Sequence, residues 1–262
     1  MRLSDHPGWV AAGIVLLALV LRLLHVWQMS ASPLFADPAV DAATYVEYAT
    51  HLAAGQWLGW GQGPFWQPPL YPYVLALVKL VFADSFFYAV RFLQAVMGAL
   101  SCLLVYRIGR RLFAPGIGAI AAFAAAAYGP LIYFDARLLP TGLATFLGLL
   151  GLLLLLYAVE HPLKRLFLAA GMVWGTAALA VATMLALVPL AAGWLAYRYW
   201  GLADRGRVWI GIFLVGVALP IVPVTLYNDI VGEDAVLISY NGGVNFFIGN
   251  NADSEQTLGI RP

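Results

Sequence analysis

The sequence predicts an all-α integral membrane protein, and its composition, apolar runs and charge distribution all point to this class. Hydrophobic residues make up 63% of the 262 residues, whereas charged residues make up only 10%. Soluble domains are usually about 45–50% apolar and about 25% charged. No water-soluble fold of this length could hide so much apolar side chain, so we infer that a lipid bilayer surrounds the chain. No basic patch is interleaved with aromatic residues, so we expect no nucleic-acid partner.

Seven apolar segments have the length of about 17–25 residues that a membrane-crossing helix needs. The run 166–200 is too long for one crossing, so we divide it near Thr183. The stretch 70–83 is too short to cross and contains Pro72 and Lys79, which predicts a helix at the membrane surface. The predicted crossings are 9–28, 88–108, 115–134, 138–158, 166–182, 184–200 and 208–227.

The basic residues set the predicted orientation, because short cytoplasmic loops are enriched in Lys and Arg. If 70–83 does not cross, three basic clusters share one side of the membrane with the N-terminus. This places the N-terminus inside, the C-terminus outside, and the segments 29–87 and 228–262 on the outer face of a single transmembrane module covering 1–262. The clusters are Arg107/Arg110/Arg111, Lys164/Arg165 and Arg198/Arg205/Arg207.

The first outer segment predicts a surface helix over 38–54, with Pro38 at its start. Asp41, Tyr45 and Tyr48 follow the i, i+4, i+7 spacing and share one face of that helix. A loop rich in Trp and Gly comes next, and its rings suit the depth of the lipid headgroups. Such rings either anchor the chain at the interface or stack on sugars, and anchoring is the favoured interpretation.

Several motifs resemble the GT-C superfamily of membrane glycosyltransferases. They resemble most the branch of polyprenyl-phosphate-sugar transferases that includes protein O-mannosyltransferases and lipid A aminoarabinose transferase. That resemblance implies a module of seven transmembrane helices with two juxtamembrane helices in the first outer loop, which here are 38–54 and 70–83. The motifs are Arg22-Leu23-Leu24, Asp41-x-x-x-Tyr45, Gln67-Pro68-Pro69-Leu70-Tyr71-Pro72 and the run 241–251, NGGVNFFIGNN.

The resemblance implies an inverting enzyme that transfers a sugar from a polyprenyl-phosphate donor to a hydroxyl of a glycan, lipid or protein acceptor. Asp41 would act as the general base, and Tyr45 of the same motif would bind substrate. Many family members carry a basic residue directly before Pro-Pro, where this chain has Gln67. The amide can donate a hydrogen bond to the phosphate but brings no charge. The implied location is the bacterial inner membrane, with a periplasmic active site.

Arg137 is the candidate cation for the donor phosphate, since an arginine between two apolar runs can bind phosphate through two hydrogen bonds. The alternatives are a salt bridge to Asp135 or snorkelling to the interface. Arg91 is a weaker candidate for the same role. Asn245 and Asn250 either bind sugar hydroxyls or occupy turns beside the neighbouring glycines.

No metal and no cofactor are expected. Glu47 and His51 are four residues apart, but Asp41 and Glu47 lie on different faces of the predicted helix, so a surface ion pair is the favoured interpretation. Cys102, the one cysteine, lies in an apolar run and predicts a core residue.

Two other functions remain open at this stage. A multi-pass transporter or flippase would place ionisable residues at mid-membrane, and the sequence offers no clear one. A non-catalytic assembly subunit would share the fold without turnover. Full GT-C enzymes usually continue with several more helices, so we expect this chain to be a fragment or a minimal form.

Overall fold

Helices form the regular structure of the protein in a computed structural model that describes residues 7–58 and 63–250. No strand occurs within those two ranges, so the all-α prediction is confirmed. The eleven α-helices of these ranges are α1 (Pro7–Met29), α2 (Asp41–Ala53), α3 (Leu70–Val81), α4 (Phe86–Leu112), α5 (Pro115–Ala127), α6 (Gly129–Ala136), α7 (Thr141–Glu160), α8 (Lys164–Ala180), α9 (Leu187–Arg198), α10 (Ala203–Ile230) and α11 (Asn241–Asn250).

Helices occupy all seven segments that the sequence marks as crossings, in the same order. Four of them, α1, α4, α7 and α10, are long and apolar enough to cross a membrane. The pair α5 and α6 would be a fifth, although it bends by 52° at its junction. Pro130 in the first turn of α6 explains the bend, because it has no N–H to donate back into α5. By length, α8 and α9 are shorter, with 17 and 12 residues.

The two helices expected at the membrane surface are α2 and α3. The first begins at Asp41 rather than at the expected Pro38. Val40 causes the difference, because its φ of 56° lies in the left-handed region and cannot continue a right-handed helix. The apolar faces of α2 and α3 pack against the start of α4 in one hydrophobic cluster. The buried residues of this cluster include Ala49, Leu52 and Leu75.

Helix α8 packs against both α7 and α10. Gly171 and Gly175 of α8 have no side chain, and a Cβ at either position would overlap the backbone of α10. Trp174, on the same helix, packs against Phe213 with ring centroids 5.6 Å apart. Small residues that let helix backbones approach are typical of packing within membranes, where apolar burial alone gives little preference for one partner.

A buried ion pair ties α1 to the end of α6. Arg22 donates from Nε to Oδ2 of Asp135 over 2.7 Å, and its Nη1 donates to the carbonyl of Ala18. Both residues of the pair are at least 95% buried. Arg22 lies in the last third of α1 and Asp135 at the end of α6, so the pair lies towards one end of the helices that it joins. An arginine in an apolar helix needs such a partner, because an unpaired charge there is expensive.

Candidate active site

A cavity of about 310 Å³ joins the start of α2 to the end of α6. Asp41 in the first turn of α2 and Arg137 just after α6 both line it. Arg91 of α4 is a third charged residue of the lining. Asp41 is exposed, and the dipole of α2 favours a negative charge in that first turn. The cavity therefore brings one carboxylate and two guanidinium groups to the same space.

Arg137 lines the cavity and forms no ion pair with another described residue. Its guanidinium carbon lies 4.6 Å from the ring centroid of Tyr133, and its Nε is buried with no hydrogen-bond partner in the part of the chain that the structure describes. The expected alternative of a salt bridge to Asp135 is wrong, because that carboxylate is bonded to Arg22. A half-buried arginine with unused donors suits an anion.

Three buried side chains hold the turn that carries Arg137. Arg91 donates from Nε to the carbonyl of Ala136 over 3.0 Å. Gln94 donates from Nε2 to the carbonyls of Asp135 and Arg137, over 3.1 Å and 2.6 Å. The third, Arg22, bonds the Asp135 carboxylate. Residues 135–137 are thus fixed to α1 and α4, and the position of the Arg137 side chain follows from theirs.

The hydrogen bonds and the ring contact of Arg91 are made within the protein. Arg91 is 1% exposed, donates from Nη1 to the carbonyl of Phe87, and stacks over the ring of Phe35 with its guanidinium carbon 3.9 Å from the centroid. Its charge still faces the cavity, so it adds positive potential there while Arg137 offers the freer donors.

Tyr45 lies beside the cavity rather than in its wall. It is 6% exposed, and its ring meets that of Tyr71 edge to face, with centroids 5.2 Å apart. Burial raises the pKa of Tyr45 to about 12, and the charge of Asp41 acts in the same direction. Tyr71 in turn donates its hydroxyl to Oε1 of Gln94 over 2.8 Å. This chain of contacts links α2 to the turn that carries Arg137.

The other expected site residues lie elsewhere. Gln67 lines a second cavity, of about 220 Å³, together with Thr44 and Trp66. Asn245 and Asn250 are exposed residues of α11, and neither lines the cavity that contains Asp41. The alternative that they occupy turns is wrong, since residues 241–250 form a helix. Asn251 of the same motif lies outside the described residues.

The profile of a protein family, described as dolichyl-phosphate-mannose-protein mannosyltransferase, matches residues 66–227. The chain belongs to this family. No curated protein matches the chain. Membership confirms the resemblance to GT-C enzymes and supports a membrane glycosyltransferase of the mannosyltransferase type.

The family match covers part of the candidate site. Gln67, Arg91, Gln94 and Arg137 lie within the matched stretch, whereas Asp41 lies before it. In the described ranges, no group of three or more His, Cys, Asp or Glu side chains could hold a metal ion.

Sequence reasoning missed Gln94 and the partner of Arg22. The signal for the ion pair was present, since an isolated arginine in an apolar helix requires a buried acid. Gln94 gave a weaker signal, as one amide in an otherwise apolar helical segment.

Proposed function

We propose that this chain transfers a sugar from a polyprenyl-phosphate carrier to an acceptor hydroxyl, with Asp41 as general base. The observation that carries the proposal is the cavity that both Asp41 and Arg137 line. Transfer to a hydroxyl needs a group that accepts the acceptor's proton and a cation that stabilises the departing phosphate. Membership in the mannosyltransferase family supplies the reaction class.

In the proposed reaction, the acceptor oxygen attacks the anomeric carbon from the face opposite the phosphate. Its proton passes to the Asp41 carboxylate as the new glycosidic bond forms. The bond from the anomeric carbon to the phosphate oxygen breaks, and its electron pair leaves with the polyprenyl phosphate. Arg137 stabilises the negative charge that develops on that oxygen, and the anomeric configuration is inverted. Asp41 then returns its proton to solvent.

We further propose seven crossings, with the N-terminus inside. Arg111 at the end of α4 and Glu160 at the end of α7 form a salt bridge, with Nε and Oε1 2.8 Å apart. Both helices therefore end on the same side, which requires α5 and α6 together to cross back.

The end of α8 supports two more crossings. Ala180, at its C-terminus, belongs to the same buried cluster as Tyr71 and Leu75 of α3, so α8 reaches the side of the surface helices. The end of α10 reaches that side as well, because Asn228 accepts a hydrogen bond from the backbone N–H of Phe65 over 2.9 Å. Helix α9 must then return between them. The basic clusters favour the cytoplasm for the opposite side, which supports an Asp41 cavity on the periplasmic side of a bacterial inner membrane.

A transporter or flippase is not favoured by these observations. The buried pair of Arg22 and Asp135 is closed by hydrogen bonds to its own helices and neighbours, as expected for a structural pair. No two broken helices occupy matching positions in two halves of the described chain, as inverted-repeat transporters require.

Transfer of radiolabelled sugar from a panel of polyprenyl-phosphate sugars, in membranes that contain the chain, tests the catalytic proposal. Asp41→Asn should reduce transfer at least about 100-fold, because positioned general bases contribute about 10²–10⁴-fold. Asp37→Asn is the matched control, since Asp37 is an exposed carboxylate four residues before Asp41 that does not line the cavity. Equal activity of Asp41→Asn and the unmodified chain would refute the base assignment. Absence of transfer from every donor by correctly inserted chain would refute the enzyme proposal.

Single-cysteine accessibility tests the proposed topology. With Cys102 replaced by Ala, cysteines at Asp37 and at Lys164 should react with a membrane-impermeant thiol reagent from opposite sides of sealed vesicles. Reaction of both from the same side would contradict the seven-crossing arrangement.

A further inference from the structure

The second cavity, which contains Gln67, differs in character from the one that contains Asp41. It lies between α2, the loop 63–67, the end of α10 and residue 240 of the second outer segment, and it encloses about 220 Å³. None of the described residues that line it is charged. Five aromatic residues make up most of the wall, with Thr44 and Gln67 as polar members. The aromatic residues are Tyr48, Phe65, Trp66, Tyr227 and Tyr240.

Asn228 holds the backbone of a residue that lines this cavity, Phe65. Asn228 is fully buried, and its Oδ1 accepts a hydrogen bond from the backbone N–H of Phe65 over 2.9 Å. Its Nδ2 donates to the carbonyls of Val236 and Ile238, over 2.9 Å and 3.1 Å. One side chain at the end of α10 thereby joins the two outer segments of the chain.

Backbone contacts reinforce this junction. Tyr240 donates its N–H to the carbonyl of Phe65 over 3.1 Å, and Asn241 donates to the carbonyl of Trp66 over 3.3 Å. Gly232 permits the close approach of the turn after α10, because a Cβ there would lie 2.6 Å from the backbone nitrogen of Pro64. Specific hydrogen bonds and close packing therefore hold the segments that form this cavity together.

Two rings of the wall keep much of their surface exposed. Trp66 and Tyr240 meet edge to face with centroids 4.6 Å apart, and they keep 43% and 44% of their surface exposed. Phe65 and Tyr227 form a second ring pair of the wall, with centroids 4.7 Å apart. Rings that served only as membrane anchors would not need to enclose a cavity or to share it with an amide and a hydroxyl.

We propose that this cavity binds a saccharide ring, an inference that rests on the proposed function. A pyranose presents C–H groups on its faces, which pack on aromatic rings, and hydroxyls at its edge, which hydrogen-bond to groups such as Gln67 and Thr44. An uncharged lining suits a neutral ligand and disfavours a phosphate. The volume lies below the range of about 300–1,000 Å³ that holds drug-sized ligands, so it suits a single ring.

The position of the cavity places that ring beside the proposed base. Thr44 lies three residues after Asp41 on α2, so the two side chains are neighbours on the helix surface. A sugar held against Thr44 and Trp66 is therefore close to the carboxylate that would take the acceptor's proton. The sugar could be that of the donor or that of a glycan acceptor, and the two sources are separable by kinetics.

Saturation-transfer NMR with purified protein in lipid nanodiscs tests the proposal without requiring turnover. The probes are the methyl pyranosides of mannose, glucose and galactose, and sorbitol is the control ligand, because it carries hydroxyls but has no ring face. We expect transfer to the ring protons of at least one pyranoside and none to sorbitol. Trp66→Ala should weaken that binding about ten-fold, which corresponds to about 1.4 kcal/mol.

Trp27→Ala is the matched control variant, since Trp27 is an exposed tryptophan of α1 outside the cavity. Gln67→Leu provides a second variant of similar size if Trp66→Ala does not fold. Binding that survives in both cavity variants, or equal saturation of sorbitol and the pyranosides, would overturn the proposal. So would the absence of saturation transfer to every pyranoside in the unmodified protein.

Transfer kinetics then identify the source of the sugar. A rise in KM for the polyprenyl-phosphate sugar in Trp66→Ala would assign the cavity to the donor, and a rise in KM for a glycan acceptor would assign it to the acceptor. No change in either KM would overturn a role in the reaction. A chain that binds pyranosides but transfers no sugar would support this site while refuting the catalytic proposal.

Discussion

Substitution of Gly98 tests the buried ion pair, because the pair occupies the space that a side chain at position 98 would need. A Cβ at this position of α4 would overlap the carboxylate of Asp135 and the guanidinium of Arg22. Gly142 of α7 plays the same part on the other side, where a Cβ would lie 2.7 Å from Oδ1 of Asp135. The pair is thus enclosed by α1, α4, α6 and α7.

The expected loss in Gly98→Ala follows from how little the pair can move. Both members are at least 95% buried, so a methyl group at position 98 must separate them without giving either one access to water. Breaking a buried pair costs about 3–5 kcal/mol. Replacing Gly by Ala in a helix returns up to about 1 kcal/mol of helix propensity. We therefore expect Gly98→Ala to lose about 2–4 kcal/mol of unfolding free energy.

Unfolding of the purified protein in mixed micelles, followed by circular dichroism against the fraction of denaturing detergent, measures this loss. Gly211→Ala is the matched control, since Gly211 lies in the long helix α10 and a methyl group added there would have no atom of a neighbouring element within 4 Å. We expect Gly211→Ala to be neutral or slightly stabilising. Equal stability of the two variants would refute the argument that Gly98 makes room for the pair.

Three further predictions concern the site. Arg137→Gln should lower sugar transfer about 10²–10³-fold, as for loss of a donor to a developing anion, and Arg137→Lys should recover part of it in the radiolabel assay. Gln94→Leu leaves the buried Tyr71 hydroxyl without its acceptor, at about 1–3 kcal/mol in the same unfolding assay, and adding Tyr71→Phe should restore part of this. Tyr45 has its pKa raised from 10.0 to about 12, so its neutral form is favoured in the folded state. Stability should stay level below about pH 10 and fall between pH 10 and pH 12, and Tyr45→Phe should reduce that slope in alkaline unfolding curves.

The sequence allowed the helical segments to be predicted because apolar length is a direct requirement of the bilayer. It did not predict the break between α5 and α6, although Gly129-Pro130 is a recognised signal for the end of a helix. The start of α2 was placed at Pro38 by the general preference of proline for first turns. Val40 has a positive φ, which prevents the helix from beginning before Asp41. A sequence pattern does not predict a positive φ at a valine.

Three residues that line the Asp41 cavity were candidates from the sequence, but the sequence did not show which candidates share a cavity. The three are Asp41, Arg91 and Arg137. Asp41 and Arg137 were both expected to act on the substrate, and tertiary packing places them in one cavity. Gln67 was expected beside them and lines the second cavity instead. Asp135 was considered as a partner of Arg137 because the two are close in sequence. Residues two apart at the end of a helix do not face each other, and the acid pairs across the bundle with Arg22.

Asp41 lies before the stretch that matches the family. Its position in the site depends on the contacts that fix α2 against the rest of the protein. The residues of α3 that contact α2 lie within the family-matched stretch, 66–227. Tyr71 of α3 meets Tyr45 edge to face, and the buried faces of α2 and α3 share one cluster that also contains Val90 of α4. Tyr71 also bonds to Gln94, the residue that fixes the turn carrying Arg137. The carboxylate and the arginine are therefore positioned by one connected set of contacts, and a shift of α3 would move both ends of the proposed reaction centre.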